Sequence, residues 1–413
     1  MSKTKRSFAA RLDRLAQVAV KVGLRPAVGQ QVILTAPVEA LPLVRLITEH
    51  AYREGASLVT TLLDDGQCAV ARYKYGHDSA FDVAPDWLFA GMEHGFKNNA
   101  ARMAISGENP GLLSGQDPAR ISRAAKARGL AYKPVSELIT SSAINWNISS
   151  CATLPWAKMM FPELSDKRAL NKLWDAIFKA SRADADDPVA AWTEHNNTLL
   201  ARRKILNDKR YSALHFRGPG TDLVVGLADD HRWAGGLSEA ANGITFNPNI
   251  PTEEVFTTPH YKRVDGYVSS TKPLSLQGNV LEGIRVRFEG GRIVDARADK
   301  GQAVLEKLIQ TDEGASYLGE VALVPHSSPI SASGLLFYNT LYDENAACHI
   351  AIGQSYSKCI ADGRTMTREE LAAKGGNHSN VHVDWMIGSG QVDIDGITAD
   401  GAAEPVMRKG EWA

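Results

Sequence analysis

A two-part α/β fold is what the sequence predicts, on three observations. Residues 31–36 (QVILTA) and 57–63 (SLVTTLL) are short apolar runs, and between them residues 38–54 carry apolar side chains at helical spacing. That is a βαβ pattern, which implies parallel strands and a right-handed crossover. After residue 208 the pattern changes to short strands separated by Gly and Pro turns, as in a mixed domain with much antiparallel sheet. The length of 413 residues, 44% of them hydrophobic, suits two domains with real cores. The division drawn is 1–208 for an N-terminal α/β domain, its parallel sheet flanked by helices, and 209–413 for a C-terminal mixed α+β domain.

Taken in order, the first 23 residues are basic and amphipathic, with Phe8, Leu12, Leu15, Val18, Ala19 and Val22 at helical spacing. Transit peptides share that composition. The segment runs directly into the first strand pattern, so it reads as a surface helix packed by its apolar face. In the first crossover helix Leu43, Leu46, Ile47 and Ala51 share one side, and Gly55 stops it. Residues 86–104 read as helix, with a break at residues 107–110 (GENP). Residues 118–128 read as another helix, which Gly129 would end. Residues 145–153 alternate like a strand, and 165–183 and 188–208 are long helical patterns around the acidic turn at 184–187. Tyr73, Trp87, Trp146 and Trp156 read as core or interface aromatics.

In the second half, residues 222–227, 266–270, 284–289, 292–297 and 320–324 read as strands, and 301–310 as a helix. Gly290-Gly291 suits a tight hairpin.

Several function classes lack support. The formal net charge of −1 gives no bulk attraction to nucleic acid or to an anionic membrane. No apolar run is long enough to span a bilayer. The four cysteines are scattered without a CxxC pair, which argues against a disulfide framework and for a reducing cytoplasm. The first strand leads into TAPVEALPLV, not a Gly-rich dinucleotide loop, and neither a Walker loop nor a G-x-S-x-G elbow occurs.

Chemistry concentrates late in the chain. LYDENAACHIAIGQSYS holds Asp343, Glu344, His349 and Tyr356, and NHSNVHVDWMIG holds His378, His382 and Asp384. IPTEEVFTTP carries Glu253 and Glu254, and YLGEVALVP carries Glu320. Carboxylates and imidazoles are the ligands of zinc-like divalent ions. Each motif alone has a plainer reading. An acidic pair is commonly solvated, Glu320 suits a surface position equally well, and H-x-D is commonly a hydrogen-bonded core pair. Side chains alternate on an extended segment, so only one of Glu253 and Glu254 can face a given site. Buried ionisable groups in an otherwise uncharged segment must be paired or liganded, and it is the set that points to a metal-dependent hydrolase.

IPTEEVFTTP, GEVALVP, LYDENAACHIAIG and NHSNVHVDWMIGS, in this order, resemble the aminopeptidase T / aminopeptidase II family of metallo-aminopeptidases. LHFRGPGTDLVVGL and VKVGLRPAVGQQVIL extend the resemblance over nearly the whole chain. The resemblance implies two divalent metal ions, commonly zinc, cobalt or manganese, in the C-terminal domain. On matching positions the ligands would be Glu254, Glu320, Glu344, His349, His382 and Asp384. Tyr356 would be an active-site tyrosine and Glu253 a neighbouring candidate base. The implied reaction releases the N-terminal residue of a peptide with metal-activated water, in a homodimer whose sites face an internal cavity. His260, His326 and His378 match no ligand position. The residue types alone leave two other readings: another two-metal amidohydrolase or carboxypeptidase acting on small amides, and a metal-stabilised binding protein without turnover.

Overall fold

A computed structural model describes residues 6–107, 109, 111–276 and 279–413. They form two compact units: one holds the described residues up to His195 together with Leu237–Pro251, the other Asn196–Gly236 together with Thr252–Ala413. No helix among the described residues is long and apolar enough to cross a membrane.

In the first unit the strands Gln31–Pro37, Leu58–Asp64, Ala101–Ser106 and Trp146–Ser150 form one parallel sheet, with Gln31–Pro37 between the second and third. The first helix, Phe8–Val18, widens into i→i+5 turns over Ala19–Leu24, where the Arg25 N–H reaches the Val20 carbonyl at 2.7 Å. Leu12, Leu15, Val18, Ala19 and Val22 are buried as the spacing predicts. Phe8 is instead 47% exposed and meets Trp174 and Phe178 edge-on at 5.5 and 5.8 Å. The crossover helix Leu41–Arg53 buries Leu43, Ile47 and Ala51, while Leu46 is half-buried.

Three expectations for this unit are corrected. The helix read over 86–104 is Asp86–Lys97 followed by a separate strand, Ala101–Ser106. Asn99 ends it in the left-handed region at φ 67°, with the Ala100 N–H bonded back to the Gly95 carbonyl at 2.9 Å. Asparagine tolerates that conformation better than most residues, and the stop lies in the pair Asn98-Asn99. The break expected at 107–110 falls partly outside the described residues. The helix at 118 does not stop at Gly129: it runs from Pro118 to Thr140, with Pro134 inside it. A mid-helix glycine costs only about 1 kcal/mol, which packing overrides. The stop is Ser142 at φ 54°. Trp87 is 74% exposed, which overturns the core half of its core-or-interface reading.

The second unit holds an eight-stranded sheet. Its spatial order is Arg292–Arg297, Arg285–Glu289, Pro259–Ser269, Thr221–Leu227, Ala213–Gly218, Asp393–Ile397, Ala403–Arg408 and Glu411–Trp412. Every pairing is antiparallel. Gly290 and Gly291 close a two-residue hairpin at φ 55° and 84°, a turn with both central residues in the left-handed region. A second antiparallel sheet has the order His382–Met386, His349–Gly353, Leu318–Leu323 and Val255–Thr257. Leu318, Val321, Leu323, Ile350, Ile352, Trp385 and Val255 join the core shared by the two sheets.

Candidate metal centre

The register of the four-stranded sheet gathers the motif residues. Ala351 stands opposite both Glu320 and Asp384, His349 opposite Ala322 and Met386, and Gly353 opposite His382. Directly opposed side chains in an antiparallel sheet share a face, and alternate residues along a strand return to it. Glu320, His349, His382 and Asp384 therefore project from one face, with only Ala322, Ala351 and Gly353 between them. Ala322 also pairs with Phe256, which puts Glu254, two residues earlier, in line with the same face. The opposite face is apolar: Val321, Ile350, Ile352, Val383 and Trp385 lie in or against the core.

A bulge makes this partition possible. Leu318 pairs with Ile352, but Glu320 pairs with Ala351, so Gly319 is an extra residue. Were Gly319 paired in register with Ala351, Glu320 would fall opposite Ile350 and point the same way as Leu318, into the core. Glycine is required there because a Cβ would come within 2.3 Å of the Gly353 carbonyl oxygen and 2.4 Å of that of Gln354.

Glu344 arrives from outside the sheet. It begins a tight turn, Glu344–Ala346, directly after the short helix Thr340–Asp343. Glu344 lines a small cavity together with Asp343, Asp384, Thr340, Ser275, Leu274 and Met386. Asp343 braces the backbone instead, its carboxylate accepting the N–H groups of Phe337 and Asn339 at 2.8 and 3.0 Å. Burial raises its pKa to about 7.

Five of the six expected ligands form two close groups that share one carboxylate, and Glu344 belongs to neither among the described residues. Glu254, Glu320 and His349 make the first, and Glu320, His382 and Asp384 the second, with atoms in each group within 4.8 Å of one another. His349 Nε2 lies 3.1 Å from Glu254 Oε2 and 3.7 Å from Glu320 Oε1. His382 Nε2 lies 3.5 Å from Glu320 Oε2 and 3.4 Å from Asp384 Oδ1. Both rings are fixed from behind: His349 Nδ1 lies 3.1 Å from the Ala347 carbonyl oxygen and His382 Nδ1 2.7 Å from that of Gln354. A backbone acceptor on Nδ1 sets the tautomer that leaves Nε2 free to ligate.

Two further observations fit a cation. Glu254 Oε2 and Asp384 Oδ1 are buried and make no properly aligned hydrogen bond, a costly state for a carboxylate. Burial, reinforced by neighbouring carboxylates, pushes Glu344 well above the usual range, and Glu254 is raised as well despite His349. Burial opposes charge on His349 and His382, but the facing carboxylates outweigh it and raise both. Asp384 is lowered: the charge of His382 overcomes its burial. The donor set of carboxylate oxygens and imidazole nitrogens suits a zinc-like divalent ion.

Tyr356 follows the strand and sets its ring 4.9 Å from that of His382, with Phe256 at 5.7 Å on another side. Burial and the charges of Glu320, Asp384, Glu344 and Glu254 hold its hydroxyl protonated far above the usual range. Glu253 is buried beside Glu254 but belongs to neither close group among the described residues. His378 and His326 are exposed and His260 half-buried, all outside both groups.

Sequence reasoning passed over the residues that hold this arrangement. Asn345, wholly buried, accepts the Glu253 N–H on Oδ1 at 2.7 Å. Asp312 accepts from Ser379 Oγ, Asn380 N–H and Ala315 N–H at 2.7–2.9 Å, fixing the approach to His382.

The chain also matches known proteins over nearly its whole length. The family model described as "Thermophilic metalloprotease (M29)" matches residues 8–412. The chain is 50% identical to "Aminopeptidase T" of Thermus thermophilus, over 98% of this chain and 99% of that protein. It is 47% identical to "Aminopeptidase AmpS" of Bacillus subtilis over the same shares. The solved structure titled "Wild-type AmpT from Thermus thermophilus" superposes with a TM-score of 0.94 at 49% identity, covering 98% of this chain and 100% of that one. On the match over nearly its full length and on these identities, the chain belongs to the M29 family of thermophilic metalloproteases.

Proposed function

We propose that this protein is a metal-dependent aminopeptidase that removes the N-terminal residue from peptides. The observation that carries the reading is the shared face of the four-stranded sheet, where Glu320 joins two groups of ligand atoms. Glu254, Glu320, Glu344, His349, His382 and Asp384 would hold two divalent ions, of zinc, cobalt or manganese. When bound, such ions acidify water to give a nucleophile at neutral pH and polarise the scissile carbonyl.

The chain's own groups do the rest. A free, unprotonated α-amino group could join the ligands at this centre, whereas an acylated one has no lone pair to offer, which would restrict cleavage to the first residue. The Tyr356 hydroxyl, kept protonated by its burial and by the neighbouring carboxylates, donates to the carbonyl oxygen as negative charge develops there. Glu253 is the candidate base that takes a proton from water and delivers it to the leaving amine. In this reading the catalytic domain is the C-terminal one, the enzyme is a cytoplasmic homodimer, and its substrates are peptides or small amides.

The test uses protein stripped with a chelator and then reloaded with zinc, cobalt or manganese. Expected is metal-dependent cleavage of aminoacyl-p-nitroanilides and none of their N-acetylated forms. Cleavage of the acetylated substrate would instead mark a different amidohydrolase. Metal uptake without turnover of any aminoacyl substrate would mark a binding protein.

A further inference from the structure

The residue that joins the two sides of the metal centre is not itself a ligand. The Asn345 side chain is wholly buried and engaged at both ends. Oδ1 accepts the Glu253 N–H at 2.7 Å. Nδ2 donates to the Leu341 carbonyl at 2.9 Å and lies 3.5 Å from Glu344 Oε1. Its backbone carbonyl accepts from Ser328 Oγ at 2.9 Å. One amide therefore connects the segment that carries Glu254 to the turn that carries Glu344.

Nothing in the strand ladder does this. Glu254 adjoins the edge strand Val255–Thr257, and Glu344 sits on a turn outside the sheet. Two carboxyl groups held only by their own backbones, one beside an edge strand and one on a turn, would be free to move apart when no cation is bound. The connection needs a donor and an acceptor on one neutral group. A carboxylate at this position could not donate to the Leu341 carbonyl, and an ammonium could not accept from Glu253.

We infer that Asn345 is a positioning residue that holds Glu254 and Glu344 at the separation cation binding requires, an inference that rests on the metal-centre reading above. The full-length protein, stripped of metal, is titrated with Zn²⁺ alone in competition with a chromophoric chelator. Supporting groups behind metal ligands change affinity by about 10- to 100-fold when lost, and a fall of that size is expected for Asn345→Ala. Asn345→Leu, which refills the volume but forms neither bond, should fall as far and serves if the alanine variant does not fold. Asn207→Ala is the control. Its amide makes the same kind of backbone clamp, on Trp233, with Oδ1 accepting at 2.9 Å and Nδ2 donating at 3.4 Å. It should lower the melting temperature and leave zinc affinity unchanged. Wild-type affinity in the folded Asn345 variants, or an equal loss in the control, overturns the inference alone. A wild-type protein that takes up no zinc overturns the metal-centre reading and this inference with it.

Discussion

Glu320→Gln is the most incisive change, because this one carboxylate serves both groups: Oε1 faces His349 and Oε2 faces His382. Two unit charges 4 Å apart interact by about 4 kcal/mol at an effective dielectric of 20, and a divalent ion doubles that to about 8 kcal/mol. Glutamine keeps the shape and one carbonyl oxygen, so only part of this is lost. Even a third of it, about 2.7 kcal/mol, is a hundredfold in affinity. At a zinc concentration about 1,000 times the wild-type Kd, binding stabilises the wild type by about 4.1 kcal/mol. With Kd weakened a hundredfold, the same zinc gives the variant about 1.4 kcal/mol. The difference of about 2.7 kcal/mol corresponds to roughly 5–10 °C in the melting temperature of a unit this size. The assay is thermal unfolding of each protein with and without zinc. Each protein is its own reference, so any effect of the substitution on the metal-free state cancels. Equal zinc-induced shifts in the two proteins would refute the shared role of Glu320 and the electrostatic argument with it.

Tyr356→Phe should lower kcat by about 10²- to 10³-fold, the usual loss for one oxyanion donor, with bound metal unchanged by elemental analysis; an unaltered kcat would remove the hydroxyl from the mechanism. Ala351→Leu places three extra carbons between Glu320 and Asp384. Overpacking of this kind costs about 1–3 kcal/mol, and zinc content should fall with activity; full occupancy would mean the ions do not sit over this residue. Burial works to raise the Asp312 pKa, but hydrogen bonds from Asn380, Ser379 and Ala315 outweigh it and hold it below the ordinary value of 3.8. Its stabilisation is therefore complete above that value and is lost as pH falls through the lower folded value. Asp312→Asn should cost about 1.5–3 kcal/mol at pH 7, the scale of hydrogen bonds to a charged group, and the gap from wild type should close below about pH 4 in acid unfolding.

Much of this was legible in the residues, and the gaps have identifiable causes. The parallel βαβ start could be read because a period-3.6 helix lies between two short apolar runs. The hairpin at Gly290-Gly291 could be read because both glycines occupy conformations other residues avoid. Helix ends were misplaced where the stop was Asn99 or Ser142 rather than glycine, and where Gly129 and Pro134 were tolerated inside a helix. The strands after residue 390, three members of the large sheet, were not separated from loop, since Gly396, Pro405 and several charges interrupt their alternation. Within the site, residue types were informative and aim was not. Whether Glu253 or Glu254 turns to the imidazoles depends on the strand that follows, and whether Glu320 turns to the core depends on one extra glycine. Asn345 and Asp312 act through backbone groups far away in the chain, which no local pattern encodes.

The two-sided strand His382–Met386 has a consequence for how the protein must be assembled. Shifted by one residue along its neighbour, it would turn Val383 and Trp385 outward and drive His382 and Asp384 into the oily layer. Such a slip would leave Glu254, Glu320 and His349 together and remove two of the three members of the second group. Only a chain whose strands are in step would present both groups at once, so a cation held by Glu320, His382 and Asp384 would act as an inspector of folding.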